Sequence, residues 1–243
     1  MSTPGRPYVR RGWWYTTLHF QGAVTQSRML TLWPDVLQVG YTRSMMGGLL
    51  LRPGPREIGI VGLGGGSQAK FCYRHLPQAG IEAFEIDPDV LALRRAFRIP
   101  DDDARFRTVL GDAARLLRQR RDRYDLLLVD AYDPQGIPAA LSSAAFYADC
   151  RDALAEGGVV ACNLYATDVK RHLARMRRAF AGNVLAVHEP RMSNVVAFGW
   201  RGELRQVSQE EALARLPRAA RRQLSGVFAR VAAALARRPA HPH

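Results

Sequence analysis

Apolar positions along the chain change period repeatedly, and the changes fall at glycine and proline. Residues 58–61 (Ile-Gly-Ile-Val) suit a short buried strand, and residues 67–76 then space their apolar side chains at helical intervals. The alternation continues with strands at 81–86, 106–110, 124–129 and 159–164 and helices at 88–97, 112–121, 142–154 and 168–180. Strands at 184–188 and 194–200 close the series, and Glu156-Gly157-Gly158 reads as a turn. Tyr-Asp-Leu-Leu-Leu-Val at 124–129 is apolar enough for a central parallel strand covered on both faces. Repeated strand–helix units predict an α/β fold with a doubly wound sheet. Ahead of it, 13–20 and 23–32 read as strands turned at Gly22, and 41–51 reads as a helix stopped by Pro53-Gly54-Pro55. Behind it, 209–235 reads as one or two Arg-rich amphipathic helices interrupted near Pro217. The expected division is a hairpin region with a linking helix (1–52), an α/β body (53–200) and a helical tail (201–243).

Composition narrows the class. A chain of 243 residues, 47% of them apolar, suits one large folded domain with small appendages. No apolar run reaches the roughly 18–20 residues of a membrane helix, and residues 1–11 lack the apolar stretch of a signal peptide. Cys72, Cys150 and Cys162 are odd in number, far apart and without C-x-x-C spacing. They argue against a disulfide scaffold or zinc site and for a reducing cytoplasm. The net charge of +13 invites a nucleic-acid reading, but its distribution does not support one. Residues 1–56 carry +6, 57–170 carry −3, 171–200 carry +4 and 201–243 carry +6. The α/β body is slightly acidic and its flanks are basic.

Candidate chemistry lies in that acidic stretch. Gly62-Leu63-Gly64-Gly65-Gly66 follows the first strand and Ser67 opens a helix. This is the context in which a glycine loop lets a nucleotide or nucleoside touch backbone beside a helix N-terminus. Glu85 ends the second strand, where an acid can accept both hydroxyls of a ribose. Asp87 either touches ligand or caps the helix that begins at Pro88. Asp112 ends the third strand and either accepts from an adenine amino group or caps the helix beginning at Ala113. Together the three elements describe an adenosyl pocket and tilt the ligand toward an S-adenosyl compound. Asp130-Ala131-Tyr132-Asp133-Pro134 leaves the carboxyl end of the central strand, where ligands bind in open α/β sheets. Its two acids can converge on one cation, and Tyr132 is either a pocket wall or an exposed loop aromatic.

With these residues in place, the chain resembles the spermidine synthases, the polyamine aminopropyltransferases. The likeness rests on G-L-G-G-G at 62–66, E-I-D at 85–87, G-D-A at 111–113 and D-A-Y-D-P at 130–134, within a match from about 26 to 198. The resemblance implies a methyltransferase-like, Rossmann-like sheet preceded by a β-hairpin region. It implies decarboxylated S-adenosylmethionine as donor and a polyamine or other small amine as acceptor; that reaction requires no metal, and a homo-oligomer, a dimer, is expected. By position, Asp130 would be the catalytic acid–base residue and Asp133 would hold the distal amine. Glu85 would bind ribose, Asp112 and Ala113 adenine, and Gln26 and Tyr41 would line the amine groove. The chain departs from the family pattern in places. The loop Asp of the family's G-G-G-D-G-G is replaced by Ser67, and no Glu follows Tyr41 in Tyr41-Thr42-Arg43-Ser44-Met45. No late aromatic stands near Arg191-Met192-Ser193, and the amino-terminal region is short.

Two other readings compete. A methyltransferase using intact S-adenosylmethionine often carries an acid two residues before the first loop glycine, where this chain has Ile60. A non-catalytic nucleoside- or nucleic-acid-binding relative would use the arginines of 215–238, a run that more often marks a solvated helix face. None of the six histidines forms a ligand cluster, and His241 and His243 read as a terminal tail without a role.

Overall fold

The computed structural model describes residues 6–20, 25–133 and 136–238. Gly22, Pro134, His241 and His243 therefore lie outside the described residues. Three antiparallel strands come first: β1 (Tyr8–Arg11), β2 (Tyr15–His19) and β3 (Thr25–Leu30), in the order β1-β2-β3. The pattern did not announce β1, because Tyr-Val-Arg-Arg offers almost no apolar face and is held through its backbone pairing to β2. Two short helices follow, α1 (Gly40–Met45) and α2 (Gly48–Leu51), where a single helix over 41–51 was expected. A Cβ on Gly47 would lie 2.7 Å from Val231, and one on Gly48 would lie 2.7 Å from Leu126. The break is where the chain slips between a later helix and the central sheet.

The body alternates as the pattern predicts: β4 (Glu57–Val61), α3 (Ser67–His75), β5 (Gly80–Glu85), α4 (Pro88–Ala92), β6 (Phe106–Leu110), α5 (Ala113–Leu116), β7 (Tyr124–Val129), α6 (Ala144–Ala153), β8 (Leu154–Leu164), α7 (Val169–Ala179), β9 (Val184–His188) and β10 (Val195–Trp200). The expected turn at 156–158 is a bulge inside a continuous β8, with Gly157 at φ +67° and a register shift opposite it. The expected helix over 112–121 shortens to α5 followed by a 3-10 turn at Leu117–Gln119. Sheet order is β6-β5-β4-β7-β8-β10-β9, parallel from β6 to β8 and antiparallel at β10 and β9. Order reverses between β4 and β7, so the crevice at their carboxyl ends is the topological switch point.

Strand periodicity sends alternate side chains to opposite layers. Leu126 and Leu128 of β7 join the layer that holds Met45, Met46, Phe71 and Phe198, whereas Leu127 and Val129 join Phe146, Tyr147 and Leu164. Two last helices, α8 (Gln209–Ala214) and α9 (Arg218–Ala236), separate at Pro217. Ala220, Leu224, Val227, Phe228 and Val231 form one stripe of α9, buried in the first of those layers. The arginine-rich segment is thus one wall of the core, with Arg218, Arg221 and Arg222 exposed on its outer side and Arg230 turned toward Glu189. Among the described residues, no helix is long and apolar enough to cross a membrane.

Candidate active site

The crevice at the switch point opens into a cavity of about 450 Å³. Its base is the glycine loop. Gly62 has φ +88°, and a Cβ there would run into the Asp130 carbonyl, so only glycine lets the ends of β4 and β7 touch. Gly64 has open space where a Cβ would stand, and it faces the cavity with Gly62, Gly65 and Ser67. Gly66 does not line the cavity; a Cβ there would collide with Ile99. From behind, the Lys70 ammonium donates to the Gly65 carbonyl at 2.8 Å and the Phe97 carbonyl at 2.9 Å, and contacts Met29 Sδ at 3.1 Å. Burial pushes this lysine down to about 7, with Arg98 adding to the effect and Asp35 opposing it. Lys70 was not singled out from the sequence. Its signal was rarity, since the chain has only two lysines among 35 basic residues.

Glu85 organises the next wall. Its Oε2 accepts from the N–H of Leu63 at 3.0 Å and of Gly64 at 3.3 Å, and its Oε1 accepts from Ile86 at 2.9 Å and Asp87 at 3.0 Å. Four backbone donors thus fix the carboxylate against the glycine loop at the cavity edge. Asp87 accepts from Asp89 N–H at 2.8 Å as the cap of α4, and Asp112 accepts from Ala114 N–H at 2.9 Å as the cap of α5. Both also line the cavity, as does Ala113, so capping and facing the ligand space are compatible. Ile86, Val90, Pro138 and Leu141 supply an apolar side to the same space.

The opposite wall comes from the end of β7. Asp130 is anchored by its N–H to the Val61 carbonyl at 2.9 Å. Asn163 Nδ2 donates to Asp130 Oδ1 at 2.9 Å, and the Tyr41 hydroxyl is also hydrogen-bonded to this carboxylate. Burial raises the Asp130 pKa above the usual carboxylate range, against the lowering effect of those two donors. Burial and the Asp130 charge together push the Tyr41 phenol up, so it stays protonated and donating. Tyr132 is wall rather than exposed loop. Its hydroxyl donates to the Asn163 carbonyl and accepts from Tyr165 N–H, both at 2.8 Å. Asp133 begins a tight turn, exchanging backbone hydrogen bonds of 2.9 and 3.1 Å with Gly136. Gln26 and Ser27 of β3, with Leu18 and Phe20, close the cavity from the hairpin region.

The lining is chemically one-sided. Glu85, Asp87, Asp112, Asp130 and Asp133 face the cavity, and no lysine, arginine or histidine does among the described residues. In a chain of net charge +13, this acidic hole is the exception. Among the described residues, no group of three or more His, Cys, Asp or Glu could hold a metal ion.

The sheet order and the acid-lined crevice at its switch point define a protein of methyltransferase-like fold with a carboxylate-rich pocket. The chain belongs to the spermine/spermidine synthase family: the profile of the spermine/spermidine synthase domain matches residues 39–199. It is 35% identical over 201 residues to a polyamine aminopropyltransferase of Chromobacterium violaceum, covering 81% of this chain and 76% of that one. It is 33% identical over 188 residues to a polyamine aminopropyltransferase of Neisseria meningitidis serogroup A, covering 76% and 72%. In three dimensions it resembles a probable spermidine synthase from Corynebacterium glutamicum, with TM-score 0.71, 19% identity and coverage of 97% and 94%. Human methyltransferase-like protein 13 in complex with SAH shares the fold at TM-score 0.63 and 22% identity, covering 84% of this chain and 96% of that one.

Proposed function

We propose that this cavity transfers an aminopropyl group from decarboxylated S-adenosylmethionine to a diamine or polyamine, releasing methylthioadenosine. One observation carries the reading: five carboxylates and no basic side chain among the described lining. Both proposed substrates are cations, and a carboxylate-lined space excludes anions while attracting them. In this reading Glu85 binds ribose, Asp112 and Ala113 receive the adenine edge, and Gly62, Gly64, Gly65, Ser67 and Asp87 shape the donor's bed. Gln26, Tyr41, Tyr132 and Asp133 hold the amine.

The chemistry follows from charge movement. The amine nitrogen attacks the carbon beside the sulfonium, the C–N bond forms, and the C–S electron pair returns to sulfur. Positive charge passes from sulfur to nitrogen, so a carboxylate near the nitrogen stabilises the transition state more than the ground state. An alkylamine with a pKa of ~10 must shed a proton, and an Asp at its ordinary ~3.9 is a weak acceptor. The raised pKa of Asp130 narrows that gap. Alignment of amine, carbon and sulfur can supply on the order of 7–11 kcal/mol of the barrier.

The same reading includes a homodimer in the cytoplasm. Trp13, Trp14 and Trp33 stand 85%, 64% and 55% exposed at one end of the hairpin sheet, an apolar surface that a second copy would cover. Sedimentation of the purified protein tests that assembly. The reaction itself is tested by incubating the protein with decarboxylated S-adenosylmethionine and a panel of diamines and polyamines. Methylthioadenosine should appear together with the elongated amine. Methyl transfer from intact S-adenosylmethionine with no methylthioadenosine, or salt-sensitive nucleic-acid binding with no turnover, would sink it.

A further inference from the structure

The Asp130 side chain is the visible end of a buried polar chain. Asn163 donates through Nδ2 to Asp130 Oδ1 at 2.9 Å, and Asn194 donates through Nδ2 to Asn163 Oδ1 at 2.8 Å. Asn163 is 4% and Asn194 2% exposed, and both sit among Val and Ala of β8 and the start of β10. Beyond them the chain stops, because Asn194 Oδ1 is buried with no hydrogen-bond partner among the described residues. A buried acceptor without a donor is costly, so a pair of amides here is expensive unless its direction matters.

The direction is set by chemistry. An ionised carboxylate only accepts, so Asn163 must turn its NH2 toward Asp130. Its carbonyl oxygen then points away and needs a donor, which Asn194 supplies. Without that donor the Asn163 amide could rotate by half a turn and place an oxygen against the carboxylate. The backbone carbonyl of Asn163 is fixed separately, by the Tyr132 hydroxyl at 2.8 Å.

We propose that Asn163 and Asn194 are positioning residues for Asp130, a polarised amide pair that holds the carboxylate by its Oδ1 edge and sets its readiness to take a proton. The pair rests on the reading of Asp130 given above. Because both donors are neutral, they orient the carboxylate without supplying a cation that would suppress its basicity. The ionisable groups around Asp130 are the Tyr41 phenol from α1, the Tyr132 phenol and Asp133 from its own loop, and the Cys162 thiol beside Tyr132 on β8. The glycine loop contributes none.

The test compares the parent protein with Asn194→Leu, which fills similar space without a donor, and with Asp130→Asn. Asn194→Leu should bind methylthioadenosine as the parent does and lose about tenfold in kcat. The acid limb of its kcat–pH profile should move up by about one unit, because the charged form of Asp130 loses an oriented donor. Parental kcat and an unmoved limb in Asn194→Leu, beside an inactive Asp130→Asn, overturn the proposal and leave the reaction intact. Turnover retained in Asp130→Asn overturns the role of Asp130 itself. A second measurement needs no folded Leu variant. In 15N-labelled parent protein the side-chain NH2 signals of Asn163 and Asn194 should shift together with pH, with one midpoint, and stay still in Asp130→Asn. An Asn194 signal that ignores pH while that of Asn163 moves overturns the relay.

Discussion

Two carboxylates of the central sheet are withdrawn from water by different means. Glu82, on β5, is 2% exposed and receives Arg120 through two bonds of 3.0 Å, together with Arg107 and the Tyr124 hydroxyl. Burial alone would raise its pKa, but Arg120, Tyr124 and Arg107 overcome it and hold the carboxyl down at about 2. Asp130, at the end of β7, has as side-chain donors among the described residues the neutral Asn163 and Tyr41, and burial wins. The first acid is locked in its charged form and does not line the switch-point cavity; the second does line it and is kept able to change. The comparison teaches where this fold spends cations. The chain carries 35 lysines and arginines, yet none among the described residues lines the pocket, where one would neutralise Asp130.

The hardest blow to the comparison is Asp130→Asn. Loss of a general base typically costs 10²–10⁴-fold, so kcat should fall by roughly that factor while methylthioadenosine still binds. The same variant carries a stability signature of definite sign. An acid whose pKa is raised on folding destabilises the fold as pH rises through that value. Asp130→Asn should therefore melt at a higher temperature than the parent at neutral pH and no higher at acid pH, read by calorimetry. A lower melting temperature at neutral pH would show that Asp130 is structural, like Glu82.

Glu82→Gln should do the reverse. Removing the acid strands Arg120, whose side chain is 16% exposed, and we expect a loss of about 2–4 kcal/mol in urea unfolding with kcat unchanged. The sign with pH is opposite as well. A carboxyl lowered from 4.5 to about 2 contributes stability above pH 4.5 that disappears as pH falls toward 2. The variant should lack that acid-side slope.

Lys70 extends the comparison to a buried cation. It is 4% exposed and held by carbonyls rather than by a paired carboxylate. A lysine lowered from 10.5 to about 7 means that the unfolded chain binds the extra proton between those values. Stability should therefore rise from pH 7 toward pH 10, with a slope of at most about 1.4 kcal/mol per unit, and Lys70→Met should flatten it.

How much of this was legible in the sequence depends on the distance between partners. The strand–helix alternation, the glycine loop and the acids at 85, 112 and 130 are local signals, each placed by the strand end immediately before it. Asn163 is different. It is one polar letter in an apolar strand, and its meaning comes from Asp130 and Asn194, 33 and 31 residues away, brought beside it by parallel pairing to β7 and antiparallel pairing to β10. Lys70 is opaque for the same reason, since one of its acceptors is the Phe97 carbonyl, 27 residues on. The basic tail was legible as helix but not as support. Arg230 of α9 donates to Ser44 at 2.8 Å and pairs with Glu189 at 3.4 Å, which also accepts from Ser44. That cluster ties down α1, the helix that carries Tyr41.

The smallest expected effect is the most discriminating, because it separates orientation from charge. Tyr41→Phe removes one neutral donor from Asp130 and leaves the amide pair in place. The phenol lowers the Asp130 pKa against burial, so its loss should push that pKa further up. A tenfold fall in kcat corresponds to about 1.4 kcal/mol, the size of one hydrogen bond to a charged group, and we expect no more than that. If Tyr41 also touches the amine, KM for the acceptor rises in the same variant while KM for the donor stays. If it serves Asp130 alone, only kcat and its acid limb move. The same substitution at Tyr124 touches the locked acid Glu82 and should change stability without moving either kinetic constant. Two phenols, each donating to a buried carboxylate of the same sheet, would then report opposite halves of the comparison.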